Sequence, residues 1–108
     1  MYRPLPDSCT IKSSTIDGLG LFATRLIPEG FDIGMTHIFD DRMLDGIIRL
    51  PLGGFFNHSE TPNCKIVEVA PTPKNNIHHL RLVAIKDIKI GNEITAHYTL
   101  YQPTTIKI

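Results

Sequence analysis

The stretch FFNHSETPN at residues 55–63 decides how this chain is expected to fold, because it joins an aromatic dipeptide to a run of polar side chains. Asparagine, histidine and serine are costly to bury unless each polar group finds a hydrogen-bond partner. A polar heptad at residues 57–63, anchored by two phenylalanines, is therefore typical of a buried or half-buried site. Taken alone, the heptad would more often be a capped turn that uses Asn57 and Ser59.

Length and composition bound the remaining possibilities. The chain has 108 residues, of which 42% are hydrophobic and 20% charged, so a single folded domain over residues 1–108 is expected. Eleven basic residues balance eleven acidic ones. Direct binding to nucleic acid or to a membrane is not predicted, since both need a basic excess or a basic stripe.

The two cysteines, Cys9 and Cys64, show neither a metal-binding spacing nor a disulfide framework. The histidines also lack a ligand spacing around His58, so no metal site is predicted. The first residues carry no apolar signal segment. We therefore expect a reducing compartment, cytoplasmic or nuclear in a host cell, and no secretion.

Proline and glycine interrupt the chain at short intervals, which leaves room for short strands and for little helix. The apolar patterns predict strands at residues 19–23, 31–35, 65–69, 77–85 and 93–98. Turns are predicted at residues 28–30 and 90–92, and a wide loop at residues 70–76. Helical spacing favours one short helix, at residues 41–50. The predicted class is mostly β.

The glycine motif GLGLFA at residues 18–23 matches a dinucleotide-binding pattern, and Asp40 lies at the spacing that this pattern requires. The context does not fit, because Pro28 and Gly30 would end any following helix after about six residues. Two interpretations stay open. The motif is either a tight turn between strands or a turn whose bare backbone approaches a ligand.

A third motif, GNEITAHY at residues 91–98, is followed by Tyr101. Taken alone, it would more often be a structural strand than a catalytic one. A triad of Ser59, His97 and Glu93 is conceivable, but the G-x-S-x-G nucleophile motif of such hydrolases does not occur in the sequence.

Together and in this order, the three motifs resemble those of the SET-domain lysine methyltransferases. The turn IPEG at residues 27–30 is also similar to a hairpin of that family, and the resemblance covers residues 9–101. It implies a fold of small β-sheets with a C-terminal pseudoknot, in which the segments of Asn57 and Tyr98 cross. It also implies methyl transfer from S-adenosyl-L-methionine to a lysine of a protein or peptide, for example a histone or another basic protein.

The resemblance also assigns cofactor-binding roles to individual positions. Gly18, Leu19 and Gly20 would lie against S-adenosylmethionine and contact its methionine end through their backbone. Asn57 would hydrogen-bond the cofactor near the methionine moiety. His58 would contact the cofactor near the adenine, through its backbone.

The remaining assignments concern catalysis and the substrate. Tyr98 would be the catalytic residue at the methyl-transfer channel and would also contact the cofactor. Phe55, Phe56 and Tyr101 would form apolar, aromatic walls around the substrate lysine. Such walls lower the pKa of a lysine and favour its neutral, nucleophilic amine.

This sequence departs from the family pattern at several positions. Gly54 stands where the family usually has an arginine, and His97 where it usually has an aspartate. The insert at residues 36–52 is short, as in minimal viral, phage or bacterial members, so the substrate walls are thin. Either a homodimer supplies a second wall, or the chain is a non-catalytic SET-like module that binds a peptide or cofactor.

An acidic patch in the insert is expected to face a basic substrate peptide; it consists of Asp40, Asp41 and Asp45.

Overall fold

The computed structural model describes residues 4–97, and within that range eight strands form two four-stranded sheets. The strands are β1 (Cys9–Ser13), β2 (Leu19–Ala23), β3 (Asp32–Phe39), β4 (Ile47–Arg49), β5 (Asn57–His58), β6 (Cys64–Val69), β7 (His79–Ala84) and β8 (Glu93–Ala96). A short 3₁₀ helix, Pro51–Gly54, precedes β5. The prediction of a mostly β fold with little helix is confirmed. No helix within residues 4–97 is long and apolar enough to cross a lipid bilayer.

The order of strands is β1-β2-β8-β5 in the first sheet and β4-β3-β7-β6 in the second. The strands pair antiparallel, except that β5 and β8 run parallel. The predicted strands correspond to β2, β3, β6, β7 and β8, and the predicted wide loop joins β6 and β7 in an antiparallel hairpin. The parallel pairing brings the C-terminal segment alongside β5. Residues 98–108, which would complete the predicted crossing, lie outside the described range.

The predicted helix at residues 41–50 is wrong. The chain there makes a hairpin, in which β4 pairs antiparallel with the end of β3. Gly46 adopts φ +81° and turns the chain into β4. Met43 and Leu44, which completed the apparent helical face, are instead 41% and 107% exposed in the turn. The apolar spacing therefore reflected a turn followed by a short strand.

Two turns of the same pattern, AxxxIxxG, connect the sheets, one between β2 and β3 and the other between β7 and β8. Ile27 and Ile88 occupy the same position in the two turns, and their backbones hydrogen-bond each other at 2.8 and 2.7 Å. Gly30 and Gly91 end the turns, both at φ +86°. Each donates its N–H to the alanine that begins the other turn, at 2.8 Å. This mutual pairing sets β2 beside β8, the strands that carry the candidate site.

One buried apolar cluster draws its members from both sheets. Its largest fully buried side chains are Phe56, Leu21, Ile27, Leu82, Ile88 and Ile94. Cys9 and Cys64 belong to the same cluster as cysteines that form no disulfide in the described residues. Burial, together with the neighbouring Cys9, raises the pKa of the Cys64 thiol to about 12. Both cysteines therefore act as small apolar core residues.

A buried histidine on β3 is held in one tautomer by its neighbours. The Thr36 hydroxyl donates to the Leu80 carbonyl at 3.2 Å, so its oxygen accepts from Nδ1–H of His37 at 3.0 Å. Among the described residues, Nε2 of His37 has no hydrogen-bond partner. The backbone of Gly53 packs so closely on this ring that a Cβ at position 53 would collide with it. Burial, reinforced by the charge of Arg49, lowers the pKa of His37 to about 4.

The low pKa of His37 predicts that stability depends on pH between about 6.5 and about 4. In this window the unfolded chain binds a proton at His37 and the folded chain does not. Stability is therefore fully present above pH 6.5 and falls as pH drops, by roughly 2 to 3 kcal/mol. Urea unfolding of the wild type and of His37→Gln at pH 7.5 and 4.5 measures this change in the free energy of unfolding. If His37→Gln shows the same pH dependence as the wild type, the assignment is contradicted. His78→Gln is the matched control and should keep the pH dependence of the wild type.

Candidate active site

The side-chain amide of Asn57 joins three segments that are far apart in the sequence. Its nitrogen lies 3.1 Å from the carbonyl oxygen of Asp17 and 3.2 Å from that of Leu19, both in the turn that enters β2. The same nitrogen lies 2.8 Å from Oε2 of Glu93 and 3.0 Å from Oγ of Ser14. Its two protons are shared among these four acceptors. The predicted glycine turn and the predicted polar heptad are therefore in direct contact, with β8 as the third partner.

Glu93, the first residue of β8, occupies the centre of this network. The Ser14 hydroxyl donates to its carboxylate, at 2.8 and 2.9 Å from the two oxygens. The Ser14 oxygen in turn accepts from the backbone N–H of Ile16 at 2.9 Å. A Cβ at Gly20 would collide with the Glu93 carboxylate and touch Ser14. From the sequence, Glu93 was considered only as a triad member and Ser14 was not predicted. The available signal was a carboxylate at the start of an apolar strand.

The two glycines of the turn are needed for different reasons. Gly18 adopts φ +45°, which disfavours other residues, and nothing lies within 4 Å of the place where its Cβ would be. Gly20 is required by the close approach of Glu93. Leu19, between them, is 53% exposed although it is apolar. Of the two interpretations left open by the sequence, this geometry favours an accessible turn whose backbone can approach a ligand.

Replacing Gly20 by alanine should destabilise the protein by roughly 2 kcal/mol, because the new methyl group displaces the Glu93 carboxylate from its hydrogen bonds. Gly54→Ala is the matched control, since a Cβ there lies 3.7 Å from Cδ of Arg49, an ordinary contact. Denaturant unfolding of the two variants checks this difference. Equal stability of the two variants would mean that the network tolerates a side chain at position 20.

The polar heptad is both a capped turn and part of the site. Oγ of Ser59 accepts from the backbone N–H of Thr61 at 3.0 Å, as a capped turn requires. The amide of Asn63 donates to the carbonyl of Glu93 at 2.8 Å and accepts from the N–H of Thr95 at 2.9 Å. Asn63 thus fixes the end of the heptad to β8. Ser59 thus has a local backbone partner, as in a capped turn, whereas Asn63 bonds to the backbone of β8 and to no local backbone group of the turn among the hydrogen bonds of its amide.

The structure separates the predicted substrate residues. Phe56 is 1% exposed and belongs to the apolar core, so in this conformation it offers no surface to a substrate. Phe55 is half-buried and packs against the edge of that core. Tyr98 and Tyr101 lie outside the described residues, and their roles stay predictions. Of the predicted aromatic walls, the structure therefore leaves Phe55 available and assigns Phe56 to the core.

The structure gives a context to the departure at Gly54 and to the acidic patch. Gly54 lies beside the aliphatic part of Arg49, which comes from β4. The side chain of Arg49 therefore lies near position 54, where the family usually has an arginine and this sequence has a glycine. In the acidic patch, Asp40 forms a two-point ion pair with Arg42, at 2.9 Å to Nε and 2.6 Å to Nη2. Hydrogen bonds from Arg42 lower the pKa of Asp40 to about 2, and the pair reduces the net charge of the patch.

A family model of the SET domain matches residues 35–99, which is more than half of the chain. The chain therefore belongs to the SET-domain family, and the resemblance noted in the sequence is confirmed. The matched range begins after the glycine turn and therefore does not include it. The hydrogen bonds of Asn57, which lies inside the matched range, connect the turn to it. No curated protein matches the sequence significantly.

Solved structures share the fold. A Plasmodium falciparum protein described as a candidate histone methyltransferase is 20% identical, with a TM-score of 0.69 over 84% of this chain and 92% of that one. Polycomb Repressive Complex 2 of Chaetomium thermophilum, bound to GSK126, is 21% identical, with a TM-score of 0.70 over 94% of this chain. A humanised mutant of that complex with the same inhibitor is 22% identical, with a TM-score of 0.66 over 93% of this chain. The chain spans 17% and 16% of these two longer chains.

Proposed function

We propose that this chain is an S-adenosylmethionine-dependent methyltransferase that acts on the side-chain amine of a lysine in a protein. The strongest support is the network around Asn57, because it ties the open turn of Gly18 and Leu19 to β5 and β8. These are the segments that the SET motifs assign to the cofactor. Family membership supports the same reaction class.

The residues present fit such a cofactor. The turn offers an exposed apolar side chain at Leu19 and empty space at Gly18, so a ligand can reach the backbone. Asn57 is 8% exposed, and its amide holds the turn through the carbonyls of Asp17 and Leu19. The parallel pairing with β8 fixes the backbone of His58, the proposed contact of the adenine. A site held this firmly on strands needs little reorganisation on binding.

The proposed chemistry requires orientation and neither a metal nor a covalent nucleophile. S-adenosylmethionine supplies a methyl group on a sulfonium sulfur, which a neutral lysine amine can displace in line. The contribution of the protein is to align the reacting groups and to exclude water. Phe55 is proposed to offer an apolar surface to the substrate lysine, and Tyr98 to polarise the methyl group through its hydroxyl. Because the insert is short, we propose that a second copy of the chain supplies the missing wall.

Calorimetric titration with S-adenosylmethionine tests whether the chain is an enzyme of this type or a binding module for peptides alone. One-to-one binding is expected, and S-adenosylhomocysteine should compete for the same site. Absence of binding by folded protein would contradict the proposed cofactor and favour the non-catalytic alternative. Histones are the first substrate to test, because one structurally similar protein is described as a candidate histone methyltransferase.

A further inference from the structure

Two histidines and a carboxylate from different parts of the chain meet where β8 ends. His58 belongs to β5, Glu60 follows it in the heptad, and His97 directly follows β8. Nε2 of His58 lies 3.3 Å from Oε1 of Glu60, and Nε2 of His97 lies 3.1 Å from Oε2. The candidate ligand atoms of these three residues all lie within 4.8 Å of one another.

The backbone fixes this meeting point. His58 is in register with Ala96 in the parallel pair of β5 and β8, and the N–H of Ser59 donates to the Ala96 carbonyl at 3.1 Å. The imidazole rings of His58 and His97 therefore lie edge to face, with centroids 4.5 Å apart. His58 thus lies in a strand and His97 directly follows the strand paired with it, which favours a defined geometry over a chance contact.

The charges and the exposure suit a cation. A carboxylate beside two imidazoles offers an anionic oxygen ligand and two nitrogen ligands. The side chains of His58, His97 and Glu60 are 34%, 44% and 79% exposed, so an ion can reach the cluster from solvent. Each imidazole already directs Nε2 at one oxygen of the same carboxylate.

We propose that His58, Glu60 and His97 form a binding site for a divalent transition-metal ion such as Zn²⁺. Nitrogen and oxygen ligands at about 2.0 to 2.2 Å from zinc lie roughly 3.4 Å apart in tetrahedral geometry. The nitrogen-to-oxygen distances of 3.1 and 3.3 Å are already close to that value. Each imidazole would bind the ion through an unprotonated Nε2, with its ring proton on Nδ1, Glu60 would supply a carboxylate oxygen, and water would complete the coordination. Two imidazoles select such ions over Mg²⁺, which prefers oxygen ligands.

This site would act as a cross-link and does not depend on the proposed methyl transfer. It would join the heptad to the residue that immediately precedes Tyr98, so that the ion stabilises the arrangement of β5 and β8. An ion that binds the folded chain and not the unfolded one raises the melting temperature. At about 100 times the dissociation constant, the expected rise is roughly 10 °C.

Calorimetry with Zn²⁺ on the full chain, stripped beforehand with a chelator, tests the proposal. One-to-one binding in the micromolar range or tighter is expected. Both His97→Ala and Glu60→Gln should weaken it by at least about 100-fold, since even loss of a second-shell partner costs about 10 to 100-fold. Neither exposed side chain is part of the core, so both variants should fold. Co²⁺ in place of Zn²⁺ should give visible absorption that His97→Ala removes.

The matched control is His78→Ala, because His78 forms a comparable pair with Glu68, at 2.9 Å, in the other sheet. This variant should bind Zn²⁺ like the wild type. The proposal is overturned by an absence of saturable binding, by unchanged affinity in His97→Ala, or by an equal loss in His78→Ala. Mg²⁺ that binds as tightly as Zn²⁺ would also overturn it.

Discussion

Asn57→Ala should weaken S-adenosylmethionine binding by at least about 100-fold and lower stability by roughly 3 kcal/mol. The substitution removes the amide that holds the carbonyls of Asp17 and Leu19, and it takes one donor away from the part-buried Glu93 carboxylate. Each ordinary hydrogen bond contributes about 1 kcal/mol and a bond to a charged group about 1.5 to 3. Release of the turn should remove most of the cofactor affinity, because the turn must then be ordered during binding. Calorimetry and urea unfolding measure the two effects.

Asn63→Ala is the matched control for this variant. Asn63 lies in the same heptad and also makes two hydrogen bonds to β8, but it does not contact the glycine turn. The Asn63→Ala protein should therefore lose a similar amount of stability, while its affinity for the cofactor changes by less than about threefold. If Asn57→Ala does not fold, Asn57→Ser retains a shorter donor and should show a partial effect. Wild-type affinity in a folded Asn57→Ala protein would exclude the turn as a cofactor element.

Tyr98→Phe should reduce turnover by about 100-fold while the affinity for S-adenosylmethionine stays within about twofold. The reason is that the hydroxyl is proposed to act on the polarised methyl group in the transition state, whereas the ring fills the same space in both variants. Initial rates at saturating substrate, together with calorimetry of the cofactor, separate the two effects. Tyr101→Phe is the control on the neighbouring segment, and it should change the KM for peptide more than turnover. An unchanged rate in Tyr98→Phe would remove this residue from the chemistry.

Local patterns in the sequence predicted much of the fold. Apolar runs bounded by glycine and proline turns located β2, β3, β6, β7 and β8. The same reasoning failed at residues 41–50, where the spacing of Met43 and Leu44 imitated a helix that Gly46 does not allow. It also missed β1, which pairs with the next strand β2, and the two-residue β5, whose partner β8 is distant in the sequence.

The parts of the candidate site that lie in sequence motifs were predicted. The contacts that depend only on the order of the strands were missed. Asn57 and the glycine turn were identified as separate motifs, but their direct contact depends on β8 lying between β2 and β5. The cluster of His58, Glu60 and His97 has no recognisable spacing, because the parallel pairing of β5 and β8 creates it. Phe56 was assigned to the substrate by its aromatic character, and its burial in the core could not be read from the dipeptide.

The most direct test of the proposed function is methyl transfer from labelled S-adenosylmethionine to histones and to a host lysate, followed by mass spectrometry of the labelled proteins. The expected result is label on lysine side chains, with formation of S-adenosylhomocysteine in equal amount and loss of both signals in Asn57→Ala. Cofactor binding without transfer to any protein, or transfer to a residue other than lysine, would contradict the assignment of this SET-domain chain as a protein-lysine methyltransferase.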